Sequence, residues 1–132
     1  MKQPNKPTDA ELAVLRVLWT HGPSTVRQVH DILAADRPLG YTTTLKTVQI
    51  MTDKGFLDRE ETGRHHVYRA RQREHDTQRR LVGDLLDLAF NGSLSNFVMQ
   101  ALATRRTTPE ELREIRRLLA AAQKTSKETR DE

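Results

Sequence analysis

Residues 40–55 have the sequence GYTTTLKTVQIMTDKG, and this stretch decides the fold. At about 100° per residue, Leu45, Val48 and Met51 fall on one side of a helix, which is therefore predicted to pack in a core. The opposite side carries Thr42, Thr43, Lys46, Gln49 and Ile50. Hydroxyls, an amide and one cation can bond to base edges and phosphates, so this side suits a DNA major groove. Gly55 is predicted to end the helix in a left-handed cap.

Two shorter helices are predicted before this stretch. The first begins with a capping box, in which Thr8 caps the helix and Glu11 reaches back to it. Ser24 or Thr25 can cap the second helix, and residues 37–40 break it. Their apolar stripes repeat at helical spacing and consist of Leu12, Leu15, Leu18 and Trp19, then Val26, Val29, Ile32 and Leu33. Three short helices in this order, the third polar on its outer side, are typical of a helix-turn-helix unit.

The next part of the chain has the pattern of a β-hairpin. Residues 56–61 and 65–70 are extended runs, and the short turn between them contains Gly63. A hairpin directly after the third helix is the arrangement of a winged helix. We therefore predict a mainly α-helical protein with a small β-hairpin wing, and a winged helix-turn-helix DNA-binding domain over residues 1–72. The candidate phosphate or minor-groove contacts of the wing are Arg64 at its tip and Arg59 and Arg69 in its strands.

Composition narrows the class of protein. Of the 132 residues, 36% are hydrophobic and 30% are charged, which is typical of a soluble, helix-rich protein with one domain and an appendage. The chain has no cysteine, so disulfides and thiolate metal sites are excluded. No apolar run approaches the roughly 20 residues that span a bilayer. Residues 1–7 also lack the apolar core of a secretion signal. We therefore expect a cytoplasmic protein that does not insert into membranes.

The net charge of +4 is unevenly distributed along the chain. Residues 1–80 contain 14 Lys and Arg against 10 Asp and Glu, whereas residues 81–132 contain 8 of each. The whole excess of cations therefore lies with the predicted DNA-binding domain. A basic surface beside a polar helix is typical of a protein that binds a polyanion, although a charge excess alone also fits an ordinary solvated surface.

The C-terminal part of the chain is predicted to form three amphipathic helices. Gly92 and Ser93 end one of these helices and begin the next. Thr108 is the expected cap of the third, with Pro109 at its first position. The charged segment 124–132 has no apolar anchor and is predicted to be a disordered tail.

These helices leave apolar faces that need a partner. They can fold back on their own N-terminal domain, or they can pack against a second copy of the chain. A homodimer also places two DNA-contacting helices on half-sites one turn or a multiple of it apart, so we predict a helical dimerisation region over residues 73–123. The apolar positions most in need of a partner are Leu81, Leu85, Leu88, Phe97, Leu102, Ile115 and Leu119.

Residues 8 to about 122 resemble the BlaI/MecI/CopY family of penicillinase-type transcriptional repressors. The segments that carry the resemblance are ELAVLRVLW (11–19), STVRQVH (24–30), YTTT through KG (41–55), RHHVY (64–68), FNGS (90–93) and PEEL (109–112). The resemblance implies a homodimeric repressor that binds an inverted-repeat operator in double-stranded DNA. In several members a membrane-bound, β-lactam-sensing metalloprotease triggers cleavage of the repressor, so a pathway of this kind is a candidate partner.

The chain departs from the family pattern at three places. Members that are cut often carry Asn-Phe in the helix after the Gly-Ser turn. By register, this candidate cleavage position is occupied here by Gln100 and Ala101, and Asn96-Phe97 lies four residues earlier. Many relatives have arginine where this chain has Ile50, which implies a different operator sequence. Copper-responsive members carry a C-terminal cysteine motif, so the lack of cysteine excludes copper sensing by that route.

Other classes of function have less support in the sequence. Of the five histidines, His21, His30 and His75 are scattered without helical ligand spacing, and His65 and His66 are neighbours on a strand whose side chains point to opposite faces. Packing or phosphate contact is therefore favoured over a metal site. No nucleophile–base arrangement or phosphate loop indicates an enzyme, and no motif indicates a cofactor. Two alternatives to a repressor stay open: a winged helix that binds other proteins, and a ligand-responsive regulator without proteolytic control.

Overall fold

A computed structural model describes residues 6–131, with six helices and one two-stranded sheet in this range. The elements are α1 (Asp9–His21), α2 (Val26–Ala34), α3 (Tyr41–Lys54), β1 (Leu57–Thr62), β2 (His65–Ala70), α4 (Glu74–Ala89), α5 (Leu94–Thr104) and α6 (Pro109–Asp131). The predicted fold class is confirmed, because a β-hairpin follows the third helix of a mainly helical chain. Residues 1–5 and 132, which belong to the predicted first domain and tail, lie outside the described residues.

Local signals set the ends of the first three helices. Thr8 and Glu11 form the predicted capping box of α1. The hydroxyl of Thr25, and not that of Ser24, caps α2. Helix α3 ends at Gly55, whose φ of 90° and ψ of 11° are left-handed values that a side chain would strain. The helices are therefore short, and tight connections bring them across one another around a shared core.

The core lies between the first three helices and the hairpin. Its buried apolar side chains are Val14, Leu15, Val17, Leu18, Val26, Val29, Val48, Met51, Phe56, Leu57 and Tyr68. Each such side chain contributes roughly 1.5–3 kcal/mol when it is fully buried, so this core is the main source of stability in the N-terminal part. Leu57 and Tyr68 come from the two strands and join the hairpin to the helices.

The hairpin is held to the helices by backbone pairing as well as by packing. Strands β1 and β2 run antiparallel, with Leu57 opposite Ala70 at one end and Thr62 opposite His65 at the other. The N–H of Ser24 donates to the carbonyl of Tyr68 at 2.9 Å, and the N–H of Tyr68 donates back at 2.8 Å. The segment before α2 therefore forms a one-residue β-bridge to β2, and this bridge holds the wing beside α2.

A buried carboxylate joins the start of α1 to the end of α3. Glu11, which is only 4% exposed, accepts a hydrogen bond from the backbone N–H of Thr8 and another from Lys54 Nζ, each at 2.9 Å. Burial by itself raises the pKa of Glu11. The Thr8 hydrogen bonds and the hydrogen bond and charge of Lys54 outweigh burial, so the pKa lies below its ordinary value. The carboxylate therefore stays charged and keeps both of its partners.

The chain divides into two compact units between Asp84 and Leu85. Two contacts join the start of α4 to the first unit. The Trp19 indole donates to the carbonyl of Gln72 at 3.0 Å, and Thr77 in the second turn of α4 is buried. The first part of α4 is thus a component of the winged unit, and the predicted dimerisation region over residues 73–123 stays a prediction.

The C-terminal unit consists of the end of α4, α5 and α6. The predicted caps form, because the hydroxyl of Ser93 accepts from the N–H of Asn96 and that of Thr108 accepts from the N–H of Glu111. Helix α6 continues to Asp131, although the sequence predicts a disordered tail from residue 124. No glycine or proline follows Pro109, so nothing in the sequence stops the helix. None of the helices within residues 6–131 is long and apolar enough to cross a membrane.

The Glu11–Lys54 ion pair predicts a pH-dependent contribution to stability. Glu11→Gln should lower the free energy of unfolding at pH 7 by about 1 kcal/mol, because it removes the charge that Lys54 neutralises. The pKa of Glu11 is depressed in the folded protein. The contribution is therefore present above the unfolded value of about 4.3 and is lost as the pH falls through the folded value. Urea unfolding of both proteins at pH 7 and at pH 3 measures the difference.

Glu114→Gln is the matched control for this experiment. Glu114 also pairs with a cation, Arg117, but both side chains are exposed on α6. Solvent screens such a pair, so the control should unfold like the wild type. A Glu11→Gln deficit of equal size at both pH values would show that packing, and not the ion pair, is responsible.

Candidate nucleic-acid interface

The packing of α3 decides which of its side chains face outward. Thr44, Val48 and Met51 are buried. With about 100° between successive residues, the side of the helix opposite these three must face solvent. All five candidate DNA contacts of this helix are exposed: Thr42, Thr43, Lys46, Gln49 and Ile50. The outer face of α3 is therefore polar, with one apolar side chain, Ile50, that is 43% exposed.

Two residues at the margins of this face differ from the sequence interpretation. Thr43 lies on the side of α3 next to α1, where it lines a small cleft together with Ala10 and Ala13. Asp53 is exposed near the end of α3, so the outer face carries a carboxylate as well as the predicted hydroxyls, amide and cation. Asp53 follows Gln49 by four residues, so the two side chains lie on the same side of the helix, and this spacing could have identified the carboxylate from the sequence. A carboxylate repels phosphates but accepts a hydrogen bond from cytosine.

The two faces of the hairpin separate the three wing arginines. Arg59 is opposite Tyr68 in the sheet and lines an open cleft of about 290 Å³ with Gln49 and Asp53 of α3. Arg69 lies on the other face, where its guanidinium is 4.0 Å from Asp58 and 3.5 Å from Glu60.

Arg64, in the turn, lines a second and larger cleft next to α3. The structure therefore brings Arg59 and Arg64 to the side of α3 and keeps Arg69 away from it, in ion pairs. The reason is strand alternation, since Arg69 follows the inward-facing Tyr68 by one residue.

The cations near the outer face of α3 are not neutralised by carboxylates. Among residues 6–131, no ion pair involves Lys46, Arg59 or Arg64. Lys54, by contrast, is held by Glu11. Positive charge is therefore available on the outer face of α3 and on the wing, which is the distribution that a DNA backbone requires.

The second cleft contains residues that the sequence analysis did not select. It has a volume of about 400 Å³, and we call it the wing cleft. Its lining residues are Thr25, Val26, Arg27, Gln28, Tyr41, Leu45, Arg64, His65, His66 and Tyr68. Arg27 and Tyr41 lie in different helices, and no spacing in the sequence connects them. In the part of the chain that the structure describes, no group of three or more His, Cys, Asp and Glu side chains could hold a metal ion.

The candidate dimerisation residues are mostly exposed in the single chain. Leu88 is 85% exposed and Leu119 is 58% exposed. Leu85 and Leu102 are also exposed, whereas Phe97 and Ile115 are half-buried. Leu81 differs from the others, because it belongs to the winged unit and lines a small cleft with Phe56 and Thr77. Further exposed apolar side chains that the sequence analysis did not select are Val82, Leu94, Met99 and Leu118.

Comparison with known proteins agrees with this arrangement. Residues 7–121 match the penicillinase repressor family. The chain belongs to this family. This match confirms the resemblance found in the sequence. The family consists of transcriptional repressors and not of enzymes.

Individual members of the penicillinase repressor family cover different parts of the chain. The penicillinase repressor of Bacillus licheniformis is 29% identical over 132 residues, which cover 97% of this chain and 100% of that protein. The transcriptional regulator BlaI of Mycobacterium tuberculosis is 41% identical over 61 residues, or 46% of this chain and 44% of that protein.

Solved structures resemble the winged part of the chain. One of them is the solution structure of the DNA-binding domain of the repressor BlaI. It has a TM-score of 0.51 and 29% identity, and the match covers 58% of this chain and 93% of that one. The solution structure of monomeric Bacillus licheniformis BlaI in complex with the blaP half-operator has a TM-score of 0.50 with the same identity and coverage.

The separation of the wing arginines predicts different salt dependences for two variants. Arg64→Ala should weaken binding to a DNA duplex of any sequence and reduce the slope of log K against log salt by about one, because one phosphate contact is lost. Arg69→Ala removes the same charge from the ion-paired face and should leave the slope unchanged. Fluorescence anisotropy over a salt series measures both. A wild-type slope for Arg64→Ala would place Arg64 away from DNA.

Proposed function

We propose that the protein is a cytoplasmic transcriptional repressor that binds an inverted-repeat operator in double-stranded DNA as a homodimer. The observation that carries this proposal is the outer face of α3, where unpaired Lys46 lies among exposed polar side chains beside a wing with two unpaired arginines. Membership of the penicillinase repressor family supports it. So does the likeness to a BlaI structure that contains a half-operator.

The outer face of α3 has the chemistry for direct recognition of bases. Lys46 can donate to the O6 and N7 atoms of guanine, and Gln49 can form two hydrogen bonds with adenine. Thr42 can bond to a base edge or a phosphate, while exposed Ile50 can pack against a thymine methyl group. Arg59 and Arg64 on the wing then contribute affinity without selecting a sequence, since phosphates are the same at every base pair.

The exposed apolar side chains of the C-terminal unit support a homodimer. No residue of α5 is buried in the single chain. On α6, Leu112, Ile115 and Leu119 recur at three- and four-residue intervals and therefore share one side of the helix. Such a stripe is unfavourable in water and is commonly buried by a second copy of the same chain. Two linked winged units also bind two half-sites with high effective concentration at the second.

The candidate cleavage position lies within a helix. Gln100 and Ala101 are exposed on α5, and the carbonyl of Ala101 accepts a hydrogen bond from the hydroxyl of Thr104. Proteases need an accessible, locally opened segment, so cleavage here requires α5 to unwind. The family's Asn-Phe pair is also absent from this position. These observations favour a repressor that is not controlled by cleavage at Gln100–Ala101. If a membrane-bound sensor metalloprotease acts on this protein, we propose that the cleavage occurs at another position.

Selection of DNA tests the proposed function. The full-length protein is incubated with genomic fragments in moderate salt, and the retained fragments are sequenced. We expect enrichment of an inverted repeat with half-sites one helical turn or a multiple of it apart. A winged helix that binds other proteins would retain no fragment selectively, and that result would contradict the proposal.

A substitution in α3 tests the proposed base contacts. Lys46→Ala should weaken binding to the selected operator by about tenfold or more, because a good base contact contributes about 1–3 kcal/mol to discrimination. Binding to unrelated DNA should change much less. Lys124→Ala, an exposed lysine of α6, removes the same charge and should bind the operator like the wild type. If Lys46→Ala, Thr42→Ala and Gln49→Ala all bind normally, α3 does not face the bases.

A pair of glutamate substitutions on α6 tests the dimer. Leu119→Glu places a charge in the apolar stripe and should produce a monomer that binds the full inverted repeat only as weakly as a single half-site. Ala121→Glu introduces the same side chain on the polar side of the helix and should remain dimeric. Sedimentation velocity at micromolar concentration and DNA titration measure both properties. A wild-type monomer that still binds the full repeat tightly would refute the mechanism.

A further inference from the structure

The guanidinium of Arg27 is held over an aromatic ring next to the outer face of α3. Arg27 is the second residue of α2, and its Cζ lies 4.1 Å from the centre of the Tyr41 ring. Tyr41 is the first residue of α3. Among the described residues, no ion pair involves Arg27, so its charge is not neutralised. A cation–π contact uses the face of the guanidinium and leaves the N–H donors of the arginine free.

The ring beneath Arg27 is itself fixed from the core. The His30 and Tyr41 rings pack edge to face, with a centroid distance of 5.5 Å and an interplanar angle of 77°. His30 is buried, and its Nδ1 lies 3.0 Å from the Oγ1 atom of Thr44, which is also buried. A chain of contacts therefore runs from the core-facing side of α3 through His30 and Tyr41 to Arg27. The position of the guanidinium is set by groups that cannot move without disturbing the core.

The wing cleft brings a second arginine to the same space. Arg27 lines it from α2 and Arg64 lines it from the turn of the wing. None of the residues that line the cleft is acidic. The carboxylate of Glu61 is outside the lining, 3.9 Å from Nδ1 of His66, and it is 73% exposed. The cleft therefore has two unpaired guanidinium groups, an open mouth and no carboxylate in its wall, which are the features that an anion requires.

We infer that the wing cleft binds a phosphodiester group of the DNA backbone, with Arg27 as a direct contact and Tyr41 as the residue that positions it. This inference rests on the proposed DNA-binding function and adds a phosphate contact from α2 to those of the wing. Tyr41 and His30 act through Arg27. A guanidinium that is already held in place loses less rotamer freedom when it binds, so the ring increases the affinity of the arginine for phosphate.

Substitutions in the full-length protein test the phosphate contact. Arg27→Ala should weaken binding to the selected operator and to unrelated DNA by a similar factor, about threefold to tenfold, and reduce the salt slope by about one. Arg16→Ala removes the same charge from an exposed site on α1 outside the cleft and should leave the salt slope unchanged. A normal affinity and a normal slope for Arg27→Ala would overturn the inference. Arg27 is exposed, so its replacement does not endanger the core.

Substitutions of Tyr41 test the positioning role. Tyr41→Phe keeps the ring and should bind DNA like the wild type, whereas Tyr41→Leu should lose about as much affinity as Arg27→Ala. The double variant Arg27→Ala/Tyr41→Leu should be no weaker than Arg27→Ala alone, because the ring has nothing left to hold. Equal losses for Tyr41→Phe and Tyr41→Leu would assign the contact to the tyrosine hydroxyl and overturn the positioning role. Thermal unfolding confirms that Tyr41→Leu is folded.

The same titrations separate this inference from the proposed function. If the wild type selects no DNA, the proposed function fails. If the wild type selects an operator and Lys46→Ala weakens its binding, but Arg27→Ala changes neither affinity nor salt slope, only the phosphate site in the wing cleft is refuted.

Discussion

The rotation of α3 about its own axis is the constraint on which the rest of the structure depends. Val48 and Met51 are buried, and Thr44 on the same side is buried as well, with its hydroxyl next to His30. A rotation by one residue, about 100°, would separate Thr44 from buried His30. It would also turn either two exterior threonines and Ile50, or Gln49, towards the core. The helix therefore has one acceptable orientation, and that orientation places Lys46 and Gln49 at the surface.

The elements around α3 each restrict one of its ends. Lys54 at the end of the helix is tied to Glu11 at the start of α1. Tyr41 at its beginning lies between His30 and Arg27 of α2. The wing is placed independently, through the backbone pairing of Ser24 with Tyr68. The three attachments use different segments and different kinds of interaction, so the fold itself positions α3 and the wing, and such preorganisation lowers the entropy cost of binding.

The sequence predicted most of the elements because each has a local cause. The exposed side of α3 follows from its helical period, and the caps at Thr8 and Gly55 follow from the chemistry of their side chains and backbone. Features that depend on tertiary contacts were not predictable in this way. Thr77 is buried and so joins the first part of α4 to the winged unit, and Asp58 and Glu60 hold Arg69 on the face opposite the other wing arginines. The Arg27–Tyr41 contact joins two helices, and no local pattern encodes it.

The hairpin also bears on how the protein avoids aggregation. Strand β2 is paired on both sides, with β1 and with Ser24, so β1 is left as the outer strand of this small sheet within residues 6–131. Four of the six residues of β1 are charged, and an edge strand of this composition resists adding a strand from another molecule. Uncontrolled growth by edge-to-edge pairing is thereby disfavoured even at high protein concentration. Charged residues in β1 are consequently expected to tolerate exchange for one another far better than replacement by valine or isoleucine.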